Sequence, residues 1–123
     1  MTILIADDDR LLTRVLGTRL TKAGYKVVAV YDAMQAIMTA LRNPPDAILL
    51  DVNMPGGTGL QVLRQLKNSI KTSQIPIIVI SGSLNVEMRE TVTALGADEV
   101  MAKPPNCEKL EAILKLRLCT ERV

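Results

Sequence analysis

Several short apolar runs end in residues that can do chemistry. Asp7, Asp8 and Asp9 follow Ile3–Ala6, Asp51 follows Ala47–Leu50, Ser81 follows Ile77–Ile80, and Lys103 follows the weaker run Val100–Ala102. A cluster of carboxylates repels itself and raises its own pKa values. A hard divalent cation and an ammonium group can both relieve that cost. Magnesium suits carboxylate and carbonyl oxygens with water completing an octahedron, and manganese is the alternative. A carboxylate can also attack phosphorus and form an acyl phosphate. Each residue has a plainer reading beside this one. Asp9, directly before Arg10, reads as the cap of a helix. Asp51 can open a turn, Ser81 can be a strand-end hydroxyl, and Lys103 can be a surface lysine. A Lys-Pro bond such as Lys103-Pro104 can be cis, which would turn the lysine stem into a crevice.

Whether these residues meet depends on the elements that carry them. The apolar runs, with Val27–Tyr31 as the second of five, are rich in Ile, Val and Leu and nearly continuous, as strands buried on both faces are. Segments of helical length separate them. Leu12, Val15, Leu16, Arg19 and Leu20 follow an i, i+3, i+4 pattern, and Gly24 can supply a left-handed stop. Asp32 with Gln35 predicts a capping box for a helix from Ala33 to about Arg42, and Thr58 with Gln61 predicts another for a helix carrying Leu60, Leu63 and Leu66. Met88, Val92 and Leu95 stripe a fourth helix that ends at Gly96. Asn106 caps a fifth, with Leu110, Ile113 and Leu114 facing inward.

Five βα repeats imply an α/β fold: a parallel sheet covered by helices on both faces. The expected architecture is a five-stranded, flavodoxin-like doubly wound sheet of order 2-1-3-4-5, one domain over residues 1–123. Ligands of such sheets bind beyond the carboxyl ends of the strands, where strand order reverses. The first and third strands are then neighbours about 4.8 Å apart. Asp7, Asp8 and Asp51 converge on one crevice, with Ser81 and Lys103 flanking it. The glycines in Asp51-Val-Asn-Met-Pro-Gly-Gly-Thr-Gly59 would let the backbone open one side of that crevice to a bulky group.

Composition excludes much else. The 123 residues are 48% hydrophobic and 23% charged with net charge +2, the balance of a globular protein and no signature for DNA. There is no histidine, which removes Ser-His-Asp and Cys-His nucleophiles and His-ligated zinc or haem. Tyr25 and Tyr31 are the only aromatics, too few for flavin stacking or a single-stranded nucleic-acid platform. Cys107 and Cys119 on one helix would lie about 18 Å apart, beyond the roughly 7 Å a disulfide allows. Free thiols, no basic and apolar leader at Met1, and no apolar run of about 20 residues together predict a cytoplasmic protein without a membrane span.

At the carboxylates, the serine and the lysine the sequence resembles the receiver domain of two-component response regulators, of the chemotaxis type. The resemblance spans essentially the whole chain. It rests on Ile3-Leu-Ile-Ala-Asp-Asp-Asp, Ala47-Ile-Leu-Leu-Asp-Val-Asn-Met-Pro-Gly-Gly-Thr-Gly59, Ile77-Ile-Val-Ile-Ser-Gly and Gly96-Ala-Asp-Glu-Val-Met-Ala-Lys-Pro104, in this order. It implies that Asp51 takes a phosphoryl group from a phosphohistidine on a partner kinase or histidine phosphotransferase. Asp8 and Asp51 would ligate Mg²⁺ with the Asn53 carbonyl, and Asp7 would hold metal-bound water. Lys103 and Ser81 would meet the phosphoryl oxygens. The domain would be a signalling phosphoacceptor that promotes its own phosphorylation and slow dephosphorylation, not an enzyme. Its output would be an unidentified protein or a fused domain, with a homodimer through the fourth helix, fifth strand and fifth helix as an option. It would make no direct contact with nucleic acid, because all five helices cover the sheet.

Three positions depart from the family pattern. Val100 stands where many receivers place a moving Tyr or Phe, Pro105 where Phe is common, and Thr58 where an acid is frequent. These concern output, not chemistry. A haloacid-dehalogenase phosphatase would need a second acid two residues after Asp51, where this chain has Asn53. A flavin binder would need a first loop that welcomes phosphate, where this chain is acidic. A receiver fold kept purely for protein contact is the remaining alternative.

Overall fold

The structure, a computed structural model, describes residues 1–54 and 58–120, with the backbone alone at 119 and 120. Its elements alternate throughout: β1 (Thr2–Ala6), α1 (Arg10–Lys22), β2 (Lys26–Val30), α2 (Ala33–Arg42), β3 (Ala47–Leu50), α3 (Gly59–Asn68), β4 (Ile77–Ser81), α4 (Val86–Ala94), β5 (Glu99–Ala102) and α5 (Cys107–Thr120). The strands form one sheet, β2-β1-β3-β4-β5, with every pairing parallel. This is the expected order. β3 and β4 are buried along their whole length, whereas the edge strands β2 and β5 are mixed. The continuous apolar runs are therefore the central strands, which face a helix layer on either side.

Alternation along each strand builds two cores. Leu4, Ala6, Ile48, Leu50, Ile77 and Val79 pack on one face with residues of α2, α3 and α4. Ile3, Ile5, Leu49, Ile78 and Ile80 pack on the other with Leu16 and Leu20 of α1 and Leu110, Leu114 and Leu118 of α5. Each fully buried aliphatic contributes about 1.5–3 kcal/mol, so the two cores fix the sheet on which the site is built.

The helix starts follow the sequence with one change of partner. Asp9 and Asn85 cap α1 and α4, and Asn106 accepts from the Lys109 amide at the start of α5. Thr58 and Gln61 form the full capping box on α3. At α2 the box is half made. Asp32 accepts from the Gln35 amide, but the Gln35 side chain accepts from Tyr31, not from Asp32. β2 runs Lys26–Val30 and stops one residue before the expected Tyr31. Val15, read as part of the inward stripe of α1, is 51% exposed, while Thr13 is buried instead. Among the described residues no helix is long and apolar enough to cross a membrane. Pro55, Gly56 and Gly57, part of the glycine-rich opening expected beside Asp51, lie outside the described residues, as does the Cys119 side chain.

Candidate functional site

β1 and β3 are adjacent, and Ala6 pairs with Leu50, so the residues that follow them leave the sheet side by side. The backbone continues that pairing. Asp51 donates its amide to Ala6 O at 2.9 Å, and Asp7 donates to Val30 O at 3.1 Å. Asp7 and Asp51 are each 4% exposed, whereas Asp8 is exposed. One carboxylate oxygen from each of Asp7, Asp8 and Asp51 lies within 4.8 Å of the others. The expected acid cluster is therefore assembled. Asp9 is not part of it and caps α1.

Lys103 comes from the end of β5, two strands away from β3. The Lys103-Pro104 bond is cis. Its backbone amide donates to Ser81 O at 2.9 Å, which ties it to the end of β4. Its side chain crosses to the acids: Nζ is 2.9 Å from Asp7 Oδ2 and 3.1 Å from Asp51 Oδ2. The other oxygens of these carboxylates are held by the backbone. Asp7 Oδ1 accepts from the Asp9 amide and Asp51 Oδ1 from the Asn53 amide. Ser81 is fully buried, and its Oγ accepts from the Ser83 amide. It sits beside Lys103 through the backbone, and its side chain is bonded to its own loop.

The electrostatics follow from burial. Loss of water pushes the Asp7 carboxyl above its ordinary 3.8, and the Asp51 charge adds to this; the Asp9 amide and Lys103 pull it back only in part. Burial alone would lower the Lys103 ammonium, but its hydrogen bonds to Asp7 and Asp51 and their charges outweigh that and raise it above 10.5. The sign for stability differs between the two. The folded chain holds the Asp7 proton more tightly than the unfolded chain does. Stability is therefore lost as pH rises from 3.8 through the raised folded value, and the loss persists above it. The Lys103 contribution is fully present below 10.5 and is lost as pH rises through its folded value. In chelator at pH 7, Asp7→Asn is expected to raise the thermal midpoint by a few degrees, with a smaller difference from the wild type at pH 4. A midpoint below that of the wild type at pH 7 would contradict this.

The steric role of Gly59 is one that the sequence reading, which groups it with the glycines opening the crevice, did not single out. A Cβ there would lie 2.5 Å from the Asp51 carbonyl oxygen and would overlap the Val52 backbone. Only glycine lets the first residue of α3 sit against the strand exit that presents Asp51. Its one signal was a glycine in the first turn of a helix, where better helix formers are available. Thr13, also unremarked, donates to Asp9 O at 2.8 Å and ties α1 to the acidic loop.

The donor set is all oxygen and anionic, which suits a hard cation and not a soft one. The ammonium already bridging two of the carboxylates shows that the site concentrates positive charge. An anionic group with several oxygens, brought next to Asp51, would meet Lys103.

A family model described as the response regulator receiver domain matches residues 3–115. Among curated proteins, "Probable transcriptional regulator ycf27" of Galdieria sulphuraria is 37% identical over 121 residues, 98% of this chain and 46% of that protein. "Response regulator MprA" of Mycobacterium avium is 36% identical over 118 residues, 96% of this chain and 51% of that protein. The chain thus spans about half the length of the curated relatives it matches. Among solved structures, the receiver domain of a sensor histidine kinase from Pseudomonas aeruginosa superposes with a TM-score of 0.88 at 29% identity. It covers 96% of this chain and 97% of that one, and it carries a magnesium ion coordinated in its active site cleft.

Proposed function

The chain belongs to the response regulator receiver domain family, and on that premise we propose that Asp51 is its phosphoacceptor and that the cation it uses is Mg²⁺. Members of the family are phosphoacceptors of two-component signalling, and receiver domains are not generally classed as enzymes. The observation that carries the proposal is the meeting of Asp7, Asp8 and Asp51 with the Lys103 ammonium at the carboxyl ends of β1, β3 and β5. The donor is a phosphohistidine on a histidine kinase or phosphotransferase, since this chain has no histidine of its own.

The residues divide the work. A carboxylate oxygen of Asp51 forms the new bond to phosphorus as the bond to the donor nitrogen breaks, and the imidazole leaves with that electron pair. The Asn53 amide holds one Asp51 oxygen and fixes the rotamer. Lys103 then exchanges a carboxylate oxygen for a phosphoryl oxygen, and Ser81 turns its hydroxyl from the Ser83 amide to donate to another. Asp8, Asp51 and the Asn53 carbonyl would hold the cation, with Asp7 orienting its water. Bound there, the cation would neutralise charge on the phosphoryl oxygens. The relative from Pseudomonas aeruginosa, with magnesium in its cleft, supports that choice of metal.

Phosphorylation replaces the single charge of the Asp51 carboxylate with up to about two on the phosphoryl group. Lys103 and Ser81 follow that charge and pull on β4 and β5, switching a remote surface. Val100 already packs inward against the core shared by α2, α3 and α4. It cannot swing as an aromatic ring would, so the pull reaches α4 through the backbone of β4 and β5. The whole chain, residues 1–123, acts as one cytoplasmic receiver domain. Its output is an unidentified partner or fused domain, and the α4–β5–α5 face offers a route to a homodimer.

Incubation with acetyl phosphate and Mg²⁺ is expected to add the mass of one phosphoryl group, and EDTA is expected to abolish the adduct. Uptake unaffected by EDTA would contradict the metal assignment; no adduct under any divalent metal would favour a receiver fold used only for contact. Asn53 is exposed beside Asp51 and can orient a hydrolytic water. Asn53→Met is expected to slow phosphate loss severalfold, measured as decay of the adduct after the donor is removed. An unchanged decay rate would sink that role.

A further inference from the structure

β2 is an edge of the sheet, paired with β1 alone. The Lys26 amide donates to Met1 O, and Val30 O accepts from the Asp7 amide. Backbone direction alternates along a strand, so Val27 and Ala29 turn their N–H and C=O groups outward. An open row of such groups is a template for another strand.

Helix α1 lays a row of cations above that edge. Arg10, Arg14 and Lys22, with Thr18 between, recur every four residues and all border one groove of about 630 Å³ that also includes Val27, Ala29 and Tyr31. The row is about 18 Å long, with successive positions about 6 Å apart. Side chains on one face of an extended strand recur at nearly the same interval, about 6.6 Å. α1 contains no acidic residue. Among the described residues the salt-bridged cations are Arg19, Lys67, Lys103 and Arg117, so no described carboxylate is paired with the row. The Arg10 guanidinium lies 3.9 Å over the Tyr31 ring, which holds one cation at the end of the groove.

We propose that the α1–β2 edge binds an acidic peptide by strand addition. An extended segment with carboxylates at alternate positions pairs its backbone with Val27 and Ala29, and its carboxylates meet Arg10, Arg14 and Lys22. A second copy of the chain would bring two such cationic rows together. A small anion would leave the strand edge unused. The surface is separate from Asp51, and the inference stands whether or not Asp51 is phosphorylated.

The test is amide NMR of the full chain titrated with a seven-residue peptide of alternating Glu and Val, blocked at both ends. Shifts at Val27, Ala29 and α1 are expected, with slowed hydrogen exchange at the Val27 and Ala29 amides. Arg14→Gln with Lys22→Gln, both exposed positions, is expected to weaken binding by roughly tenfold, and higher salt should do the same. Equal binding of a peptide with its Glu residues in one block, or of the Lys–Val counterpart, overturns the proposal. So does the absence of shifts at β2. The same shifts from ATP would assign the groove to a small anion. A peptide-free dimer that Arg14→Glu strengthens would assign it to a second copy.

Discussion

Asp51→Asn is expected to take up no phosphoryl group from acetyl phosphate under conditions that label the wild type, a fall in rate of about 10³-fold or more. An amide oxygen is a poor nucleophile, and no neighbour is placed to replace it. Asp7 is held by Lys103 and the Asp9 amide, and Asp8 is exposed to water. The substitution keeps the shape of the side chain and an oxygen for the Asn53 amide. It also removes one charge from a crowded cluster, so the fold is expected to survive. Intact mass measures the loss, and circular dichroism confirms that the variant is folded. Labelling at the wild-type rate would contradict the assignment.

Lys103→Met is expected to slow phosphorylation by about 10- to 100-fold, because it removes the ammonium aimed at the charge that develops on the phosphoryl oxygens. The chain stem is retained, so packing changes little. What changes is charge: Asp7 and Asp51 lose the Nζ that lies 2.9 and 3.1 Å from them. A bound cation becomes their only close countercharge. Added Mg²⁺ is therefore expected to raise the melting temperature of the variant more than that of the wild type, since a ligand stabilises the folded state more the tighter it binds. Calorimetry with and without Mg²⁺ measures this. A smaller rise in the variant, together with wild-type labelling, would mean that Lys103 is a surface lysine after all.

Most of the architecture was legible because the strands are written twice, as apolar runs and as the polar residues that end them. Ala47–Leu50 is a strand because nothing else so short and apolar can be buried on both faces, and the structure gives the same bounds. The five βα repeats then brought β1 beside β3, and with them Asp7 beside Asp51. Where the reading slipped, local pattern allowed two outcomes. Leu12, Val15 and Leu16 share the i, i+3, i+4 pattern on α1, and spacing alone did not show that Leu12 and Leu16 would turn inward while Val15 stayed in water. Gln35 had two amides within reach, and Tyr31 won over Asp32. The steric role of Gly59 was not legible, because it is the absence of a side chain where α3 meets the Asp51 backbone. The acids announced themselves by type and place, whereas the contacts that position them depended on distances between elements far apart in sequence.

Reductive trapping reads out which aspartate carries the phosphoryl group. Borohydride reduces an aspartyl phosphate to homoserine, which peptide mass spectrometry can locate. After acetyl phosphate and Mg²⁺, homoserine is expected at position 51 and at no other aspartate. Homoserine at position 7 or 8, or none in protein that has gained the phosphoryl mass, would contradict it.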